Sequence, residues 1–175
     1  MANETVRILG IDPGLRRCGW GLITSAGQRI SYVASGFVTS DAAQPLAIRL
    51  CEIYDGLNAM LAEFAPDEAA VEETFVNDNA RATLKLGQAR GMALLAPAKR
   101  NIKVAEYSPN LIKKCVVGSG HADKKQVQAM VRFLLPKATF SNADEADALA
   151  IAICHAHQRK ATAQALLARS RTRAA

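Results

Sequence analysis

Acidic residues close two apolar segments of the sequence, and two more begin a helical segment. Asp12 follows the apolar run that starts at Val6, and Glu72 follows a short run of alanine and valine. Asp144 and Asp147 are three residues apart in a helical pattern, so both point to the same side. A charge at the end of a buried strand is costly unless it meets a cation. These four acids are therefore candidates for one shared site.

The chemistry that such a site would perform follows from its charge. Carboxylates gathered in a partly buried site repel one another strongly unless a cation neutralises them. Oxygen ligands suit hard divalent cations, so Mg²⁺ is expected and Mn²⁺ is an alternative, rather than zinc. Two such ions about 4 Å apart can activate a water and stabilise the leaving oxygen of a phosphodiester. The acids therefore favour phosphodiester hydrolysis.

Each acid also has an ordinary structural explanation. Asp12 fits an Asx-turn with the Pro-Gly pair that follows it. Glu72 fits a solvated strand end. Asp144 and Glu145 fit the first turn of a helix capped by Asn142. Taken singly, these explanations are favoured. The combination points to function, because four acids at element ends in one domain have no common structural purpose.

The elements that must position these acids follow from hydrophobic periodicity and from turn residues. Strands are predicted at 6–12, 19–24, 29–39, 68–72 and 103–106, and helices at 46–64, 79–98, from 109, at 123–135 and at 142–157. Three strands in series followed by alternating helices and strands indicate an α/β sandwich with a mixed sheet. Gly87 and Gly91 lie on one face of their helix, which predicts close packing against another backbone.

Length and composition set the class of protein. The chain has 175 residues, half of them hydrophobic, which suits one compact domain. No segment reaches the roughly 20 continuous apolar residues of a membrane helix, and no secretory signal pattern opens the chain. The four scattered cysteines form no CxxC pair and are typical of reduced thiols. We therefore expect a cytoplasmic protein without a membrane segment.

The formal charge of +6 is unevenly distributed. Residues 99–137 hold nine Lys or Arg against two acids, whereas 1–98 together with 138–158 sum to −6. The last segment, 159–175, adds five basic residues and no acid, and we expect it to be a disordered basic tail after a domain at 1–158. Either the basic regions bind a polyanion such as nucleic acid, or both regions are solvated faces.

Two other motifs do not support a site. Cys154, His155 and His157 point in different directions on one helix, and no second ligand pair accompanies them, which argues against zinc. The glycine loop at 118–120 is not followed by Gly-Lys-Ser/Thr, so it does not predict a nucleotide-binding P-loop.

Several motifs, in order and at family spacing, resemble the RuvC-type junction resolvases over about residues 6–158. They are GIDPG at 10–14, VEETF at 71–75, LKLGQARG at 84–91, VVGSG at 116–120 and ADEADALAIA at 143–152. The resemblance implies an RNase H-like three-layer sandwich with a mixed central sheet. It also implies a homodimer that cuts four-way (Holliday) DNA junctions with Mg²⁺, and the RuvA–RuvB branch-migration complex as a partner.

The resemblance also implies roles for individual residues. The family's metal-binding acids correspond to Asp12, Glu72, Asp144 and Asp147. Some relatives have a histidine in place of Asp144, so that position is the less fixed. The same resemblance implies that the aromatic ring of Phe75 wedges against the junction, and that Lys113 and Lys124 lie near the scissile strand.

Three alternatives fit less of the sequence. A YqgF-type nuclease acting on ribosomal RNA precursors also opens with a GID-type strand, but such chains are shorter and lack the VVGSG and ADALAIA segments together. A junction-binding protein without cleavage would lack one of the acids. An actin-like kinase or ATPase would be duplicated and about twice this length, and no internal repeat is present.

Overall fold

The computed structural model describes residues 4–74 and 79–173, with side chains up to residue 161. Its strands are β1 Thr5–Asp12, β2 Arg17–Ala26, β3 Arg29–Thr39, β4 Glu68–Glu72 and β5 Lys103–Tyr107. Its helices are α1 Leu46–Phe64, α2 Ala80–Ala98, α3 Pro109–Val117, α4 Lys124–Leu134 and α5 Ala143–Arg173. None of these helices has the length and apolar character that crossing a membrane requires.

The strands form one mixed sheet in the order β3-β2-β1-β4-β5. β1, β2 and β3 pair antiparallel, whereas β4 pairs parallel with both β1 and β5. The carboxyl ends of β1, β3, β4 and β5 therefore meet at one edge of the sheet, together with the start of β2. We call this the carboxyl edge, and it is where Asp12 and Glu72 lie.

Helices cover both faces of the sheet, which confirms the predicted three-layer sandwich. α1 and α2 pack on one face, around buried side chains that include Ile11, Leu22 and Leu57. α3, α4 and α5 pack on the other face, around Ile8, Val131 and others. Because both faces are covered, the short strand β4 is buried and almost wholly apolar until it reaches the carboxyl edge.

Helix α5 lies unusually close to the sheet because glycines on β1 and β2 face it. A Cβ on Gly10 would lie 2.0 Å from the carbonyl oxygen of Ala148. A Cβ on Gly19 would lie 2.3 Å from the carbonyl oxygen of Asp144. A side chain at either position would collide with helix backbone, so these glycines fix how near the first turns of α5 come to the end of β1.

One expectation about the helices was wrong, and a second stays open. α5 was expected to end near His157, but its backbone is helical to Arg173. The reason is composition, because this segment contains no glycine or proline and is rich in strong helix formers. Gly87 and Gly91 were expected to pack against another backbone; among the described residues a Cβ at either position would meet nothing within 4 Å, so packing against a second chain stays a prediction.

Candidate active site

A cavity of about 300 Å³ opens at the carboxyl edge between the sheet and the helices α3, α4 and α5. It is lined by Asp12, Glu72, Pro109, Ile112, Lys113, Lys124, Val127, Asp147 and Ala150. We call it the acid pocket. It brings together three of the four predicted acids, from β1, β4 and α5, and both predicted lysines.

The two lysines of the pocket lie on helices with capped N-termini. The side chain of Ser108 accepts a hydrogen bond from a backbone N–H in the first turn of α3, the helix that carries Lys113. Asp123 and Gln126 form a capping box at the start of α4, which places Lys124 at its first position. The Nζ of Lys124 lies 3.5 Å from the Oδ2 of Asp147.

Among the acids of the pocket, Asp12 has the most strongly raised pKa. Burial raises its pKa from 3.8 to about 8, and the charges of Asp147, Glu72 and Asp144 add to this effect. Only Lys124 opposes them. A carboxyl group with this pKa is protonated at neutral pH, and a nearby cation would favour its ionised form.

The other two acids of the pocket show the same conflict. Burial and the charge of Asp147 raise the pKa of Glu72, although Lys113 and Lys124 oppose the shift. Burial also raises the pKa of Asp147, which Lys124 opposes by charge and by a hydrogen bond. The pocket therefore holds three carboxyl groups against two lysines and would carry a net negative charge if all three were ionised.

Asp144 is placed differently from the other three acids. Its Oδ2 lies 3.3 Å from the Nη1 of Arg17, at the boundary with a neighbouring cleft. The spacing of three residues therefore does not direct Asp144 and Asp147 to the same cation. The long-range pair with Arg17 was not predicted, because nothing in the local sequence relates residues 127 positions apart.

The donor set fits a divalent cation by chemistry, since it consists of carboxylate oxygens with raised pKa values. In the parts of the chain that are described, however, no group of three or more Asp, Glu, His or Cys side chains is arranged to hold a metal ion. The gathering of all four acids around one cation therefore stays a prediction. Asp147 and Asp144 each pair with a basic residue of the chain, Lys124 and Arg17 respectively.

The remaining predicted residues have other outcomes. Phe75 lies outside the described residues. Both ring nitrogens of His155 are hydrogen bonded, Nδ1 to the Tyr107 hydroxyl at 2.7 Å and Nε2 to Glu68 at 2.8 Å. Glu145, next to Asp144, is buried and accepts a hydrogen bond from the Ser35 hydroxyl at 2.7 Å. Glu145 therefore anchors the start of α5.

Comparison with known proteins agrees with this fold. The family model "Crossover junction endodeoxyribonuclease RuvC" matches residues 8–155. The RuvC of Methylorubrum populi is 65% identical over 158 residues, covering 90% of this chain and 84% of that protein. The RuvC of Brucella anthropi is 59% identical over 163 residues, covering 93% and 95%.

A solved structure agrees as well. The Thermus thermophilus RuvC, in complex with a Holliday junction substrate, superposes with a TM-score of 0.82 at 32% identity. The match covers 90% of this chain and 97% of that one. The five-stranded mixed sheet with helices on both faces is thus an RNase H-like fold. More narrowly, the chain belongs to the RuvC family of crossover junction endodeoxyribonucleases.

Proposed function

We propose that this chain resolves four-way DNA junctions as a homodimer, by paired, divalent-metal-dependent hydrolysis at the acid pocket. The observation that carries the proposal is the meeting of Asp12, Glu72 and Asp147 from three separate elements in one cavity with two lysines. Family membership supplies the substrate class, because the relatives are named for crossover junctions.

The acids and the lysines of the pocket have different roles in this proposal. Asp12, Glu72 and Asp147 would hold Mg²⁺ or Mn²⁺, with Asp144 as a further ligand beside them. A bound divalent cation supplies positive charge that polarises the phosphodiester and activates water. Lys113 and Lys124 stabilise the negative charge of the scissile phosphate, since they are the cationic side chains that line the pocket.

Ile112, Val127 and Ala150 form the apolar wall of the pocket. An apolar wall lowers the local dielectric and strengthens the attraction between the lysines and a phosphate. We infer that Phe75, just after β4, contacts bases of the junction, where stacking on an aromatic ring contributes about 1–3 kcal/mol per base.

The homodimer supplies the second cut. One chain carries one acid pocket, whereas separating a junction into two duplexes requires two cuts related by two-fold symmetry. α2 offers a face for a second copy: Leu84 and Leu95 are 69% and 44% exposed, and Gly87 and Gly91 between them have open space above them. By contrast, the apolar side of α1 is buried against the sheet.

Partners and location complete the proposal. The RuvA–RuvB branch-migration complex is the expected protein partner, and the cytoplasm is the expected compartment. The division between a nuclease domain at 1–158 and a basic segment at 159–175 likewise stays a prediction. The basic residues of 159–175 would add non-specific attraction to DNA, and this segment contains no acid that could bind metal.

The direct test is cleavage of a synthetic four-way junction beside a linear duplex of the same sequence. The chain is expected to cut the junction in Mg²⁺, not in EDTA, and to leave the duplex intact. Asp12→Asn should abolish cutting and keep junction binding, whereas Asp55→Asn, at an exposed site on α1, should behave as wild type. Cutting by Asp12→Asn, or equal cutting of both DNAs, would reject the proposal.

A further inference from the structure

A second cleft, larger than the acid pocket, adjoins it at the carboxyl edge. Its volume is about 840 Å³, and it lies between the β1–β2 turn and the segment that follows β3. It is lined by Gly14, Leu15, Arg16, Arg17, Thr39, Ser40, Asp41, Ala42 and Asp144. Asp144 is the boundary between the two sites, because its charge also acts on Asp12 and Asp147.

Two exposed arginines give this cleft a cationic wall. The guanidinium carbon of Arg17 lies 4.7 Å from the centre of the Phe37 ring, which restricts its orientation. Arg16 has no ion pair among the residues that the structure describes. Asp41, the second acid of the cleft, accepts a hydrogen bond from a backbone N–H of its own turn. Both arginines are therefore exposed to solvent in the cleft, with Arg17 paired to Asp144.

Hydrogen bonds from Ser40 and Arg49 stabilise the backbone that forms the wall of the cleft. The Ser40 hydroxyl donates to the carbonyl oxygen of Leu15. Arg49, from α1, donates to both partners: its Nε to the Ser40 oxygen at 3.0 Å and its Nη2 to the Leu15 carbonyl at 3.3 Å. The Ser40 N–H also donates to the Arg16 carbonyl at 3.3 Å. These bonds tie the β1–β2 turn to the segment after β3 and hold the arginines in place.

The pair between Arg17 and Asp144 does not prevent ligand binding. The two side chains are 45% and 35% exposed, so solvent weakens their attraction. A guanidinium also has five N–H donors and can bind a phosphate through a planar fork. A phosphate in the cleft can therefore bind Arg17 together with Asp144, or it can displace Asp144 from Arg17.

We propose that this cleft binds the sugar–phosphate backbone of the DNA strand that is cut, with Arg17 and Arg16 as the phosphate ligands. The inference rests on the proposed function and extends it from the scissile phosphate to its neighbours. Arg17 begins β2, which lies one strand from β1, or about 5 Å at the usual strand spacing. A strand that follows the carboxyl edge at about 3.4 Å per nucleotide reaches the arginines about one to two nucleotides from the acid pocket.

The first test is the salt dependence of junction affinity, measured in EDTA for wild type, Arg17→Gln, Arg16→Gln and Arg17→Lys. In the two glutamine variants, the slope of log affinity against log salt should become shallower by about 0.9 for each phosphate that a subunit no longer neutralises. Arg17→Lys should recover most of that slope. Arg29→Gln is the matched control, because Arg29 is exposed at the opposite edge of the sheet. Thermal unfolding verifies that each variant is folded.

The second test locates the phosphate. In a series of junctions, single phosphates one to five nucleotides from the mapped cut site are replaced by neutral methylphosphonates. One position should weaken wild-type binding about tenfold, and Arg17→Gln should lose little more at that position than at the others. If the glutamine variants keep the wild-type slope, or if their losses add to those of every methylphosphonate, the cleft is not a phosphate site. Failure of wild type to bind junctions at all would instead reject the proposed function.

Discussion

Gly10 of β1 packs directly against the carbonyl group of Ala148 in α5, with room for a hydrogen atom and not for a methyl group. α5 also carries Asp147, whereas β1 ends at Asp12 two residues after this contact. The approach of helix to strand at Gly10 thus sets the separation of two acids in the pocket. A single contact between backbones links the packing of the core to the geometry of the site.

Gly10→Ala should destabilise the fold and disturb the site. The added Cβ would lie 2.0 Å from backbone that cannot rotate away, so overpacking is expected to cost about 1–3 kcal/mol or more. Each kcal/mol lowers Tm by about 2–4 °C in a domain of this size. The control is Gly120→Ala, whose Cβ would make an ordinary contact at 3.5 Å from the Asn110 carbonyl oxygen. Equal Tm values for the two variants would show that α5 does not depend on this glycine.

Asp12→Asn should stabilise the metal-free protein, increasingly so as pH rises. Asp12 ionises near 3.8 when unfolded, but burial and neighbouring carboxylates raise its folded pKa to about 8. The folded state then binds more protons than the unfolded state between these values, so wild-type stability falls as pH rises from about 4 to 8. The asparagine has no proton to lose and escapes this penalty.

Thermal unfolding in EDTA at pH 5 and pH 8 measures this effect. The Tm advantage of Asp12→Asn over wild type should be several degrees at pH 8 and smaller at pH 5. Asp55→Asn, on the surface of α1, should show no such trend. An advantage that is absent, or that shrinks as pH rises, would mean that Asp12 is not the strained carboxyl group inferred from its surroundings.

Leu84→Glu should convert the proposed dimer into a monomer. Leu84 is 69% exposed, although it is a large apolar side chain, and a charge there would be buried against the second copy. Ile48→Glu is the matched control, because Ile48 is 47% exposed on α1, outside the proposed interface. Sedimentation at micromolar concentration distinguishes the two states. A dimeric Leu84→Glu chain would place the interface elsewhere.

Much of the fold could be predicted from the sequence because its elements are locally encoded. The bounds of α1 and β4 agree with the structure, since apolar periodicity and Pro66 delimit the first and the length of the apolar run delimits the second. Asp12 and Glu72 could be placed at one edge because parallel strands end on the same side of a sheet. Local pattern was sufficient for these features.

The remaining features depend on contacts that local pattern does not contain. The pair between Asp144 and Arg17 joins residues that are distant in sequence and that meet where α5 packs on β2. The length of α5 was underestimated because its apolar face ends near His157, whereas helix propensity continues without such a face. The exposed apolar face of α2 is explained in the proposed dimer by a second chain that covers it, and the sequence pattern of one chain does not describe such a contact.

The most direct measurement of the central claim, two identical acid pockets making two coordinated cuts, uses a supercoiled plasmid with an extruded cruciform. Wild-type dimers should cut both strands during one encounter and yield linear plasmid. Dimers isolated with one wild-type and one Asp12→Asn chain should yield nicked circles, and Asp12→Asn homodimers should yield neither. Linear product from the mixed dimer, or any cutting by the Asp12→Asn homodimer, would contradict the account.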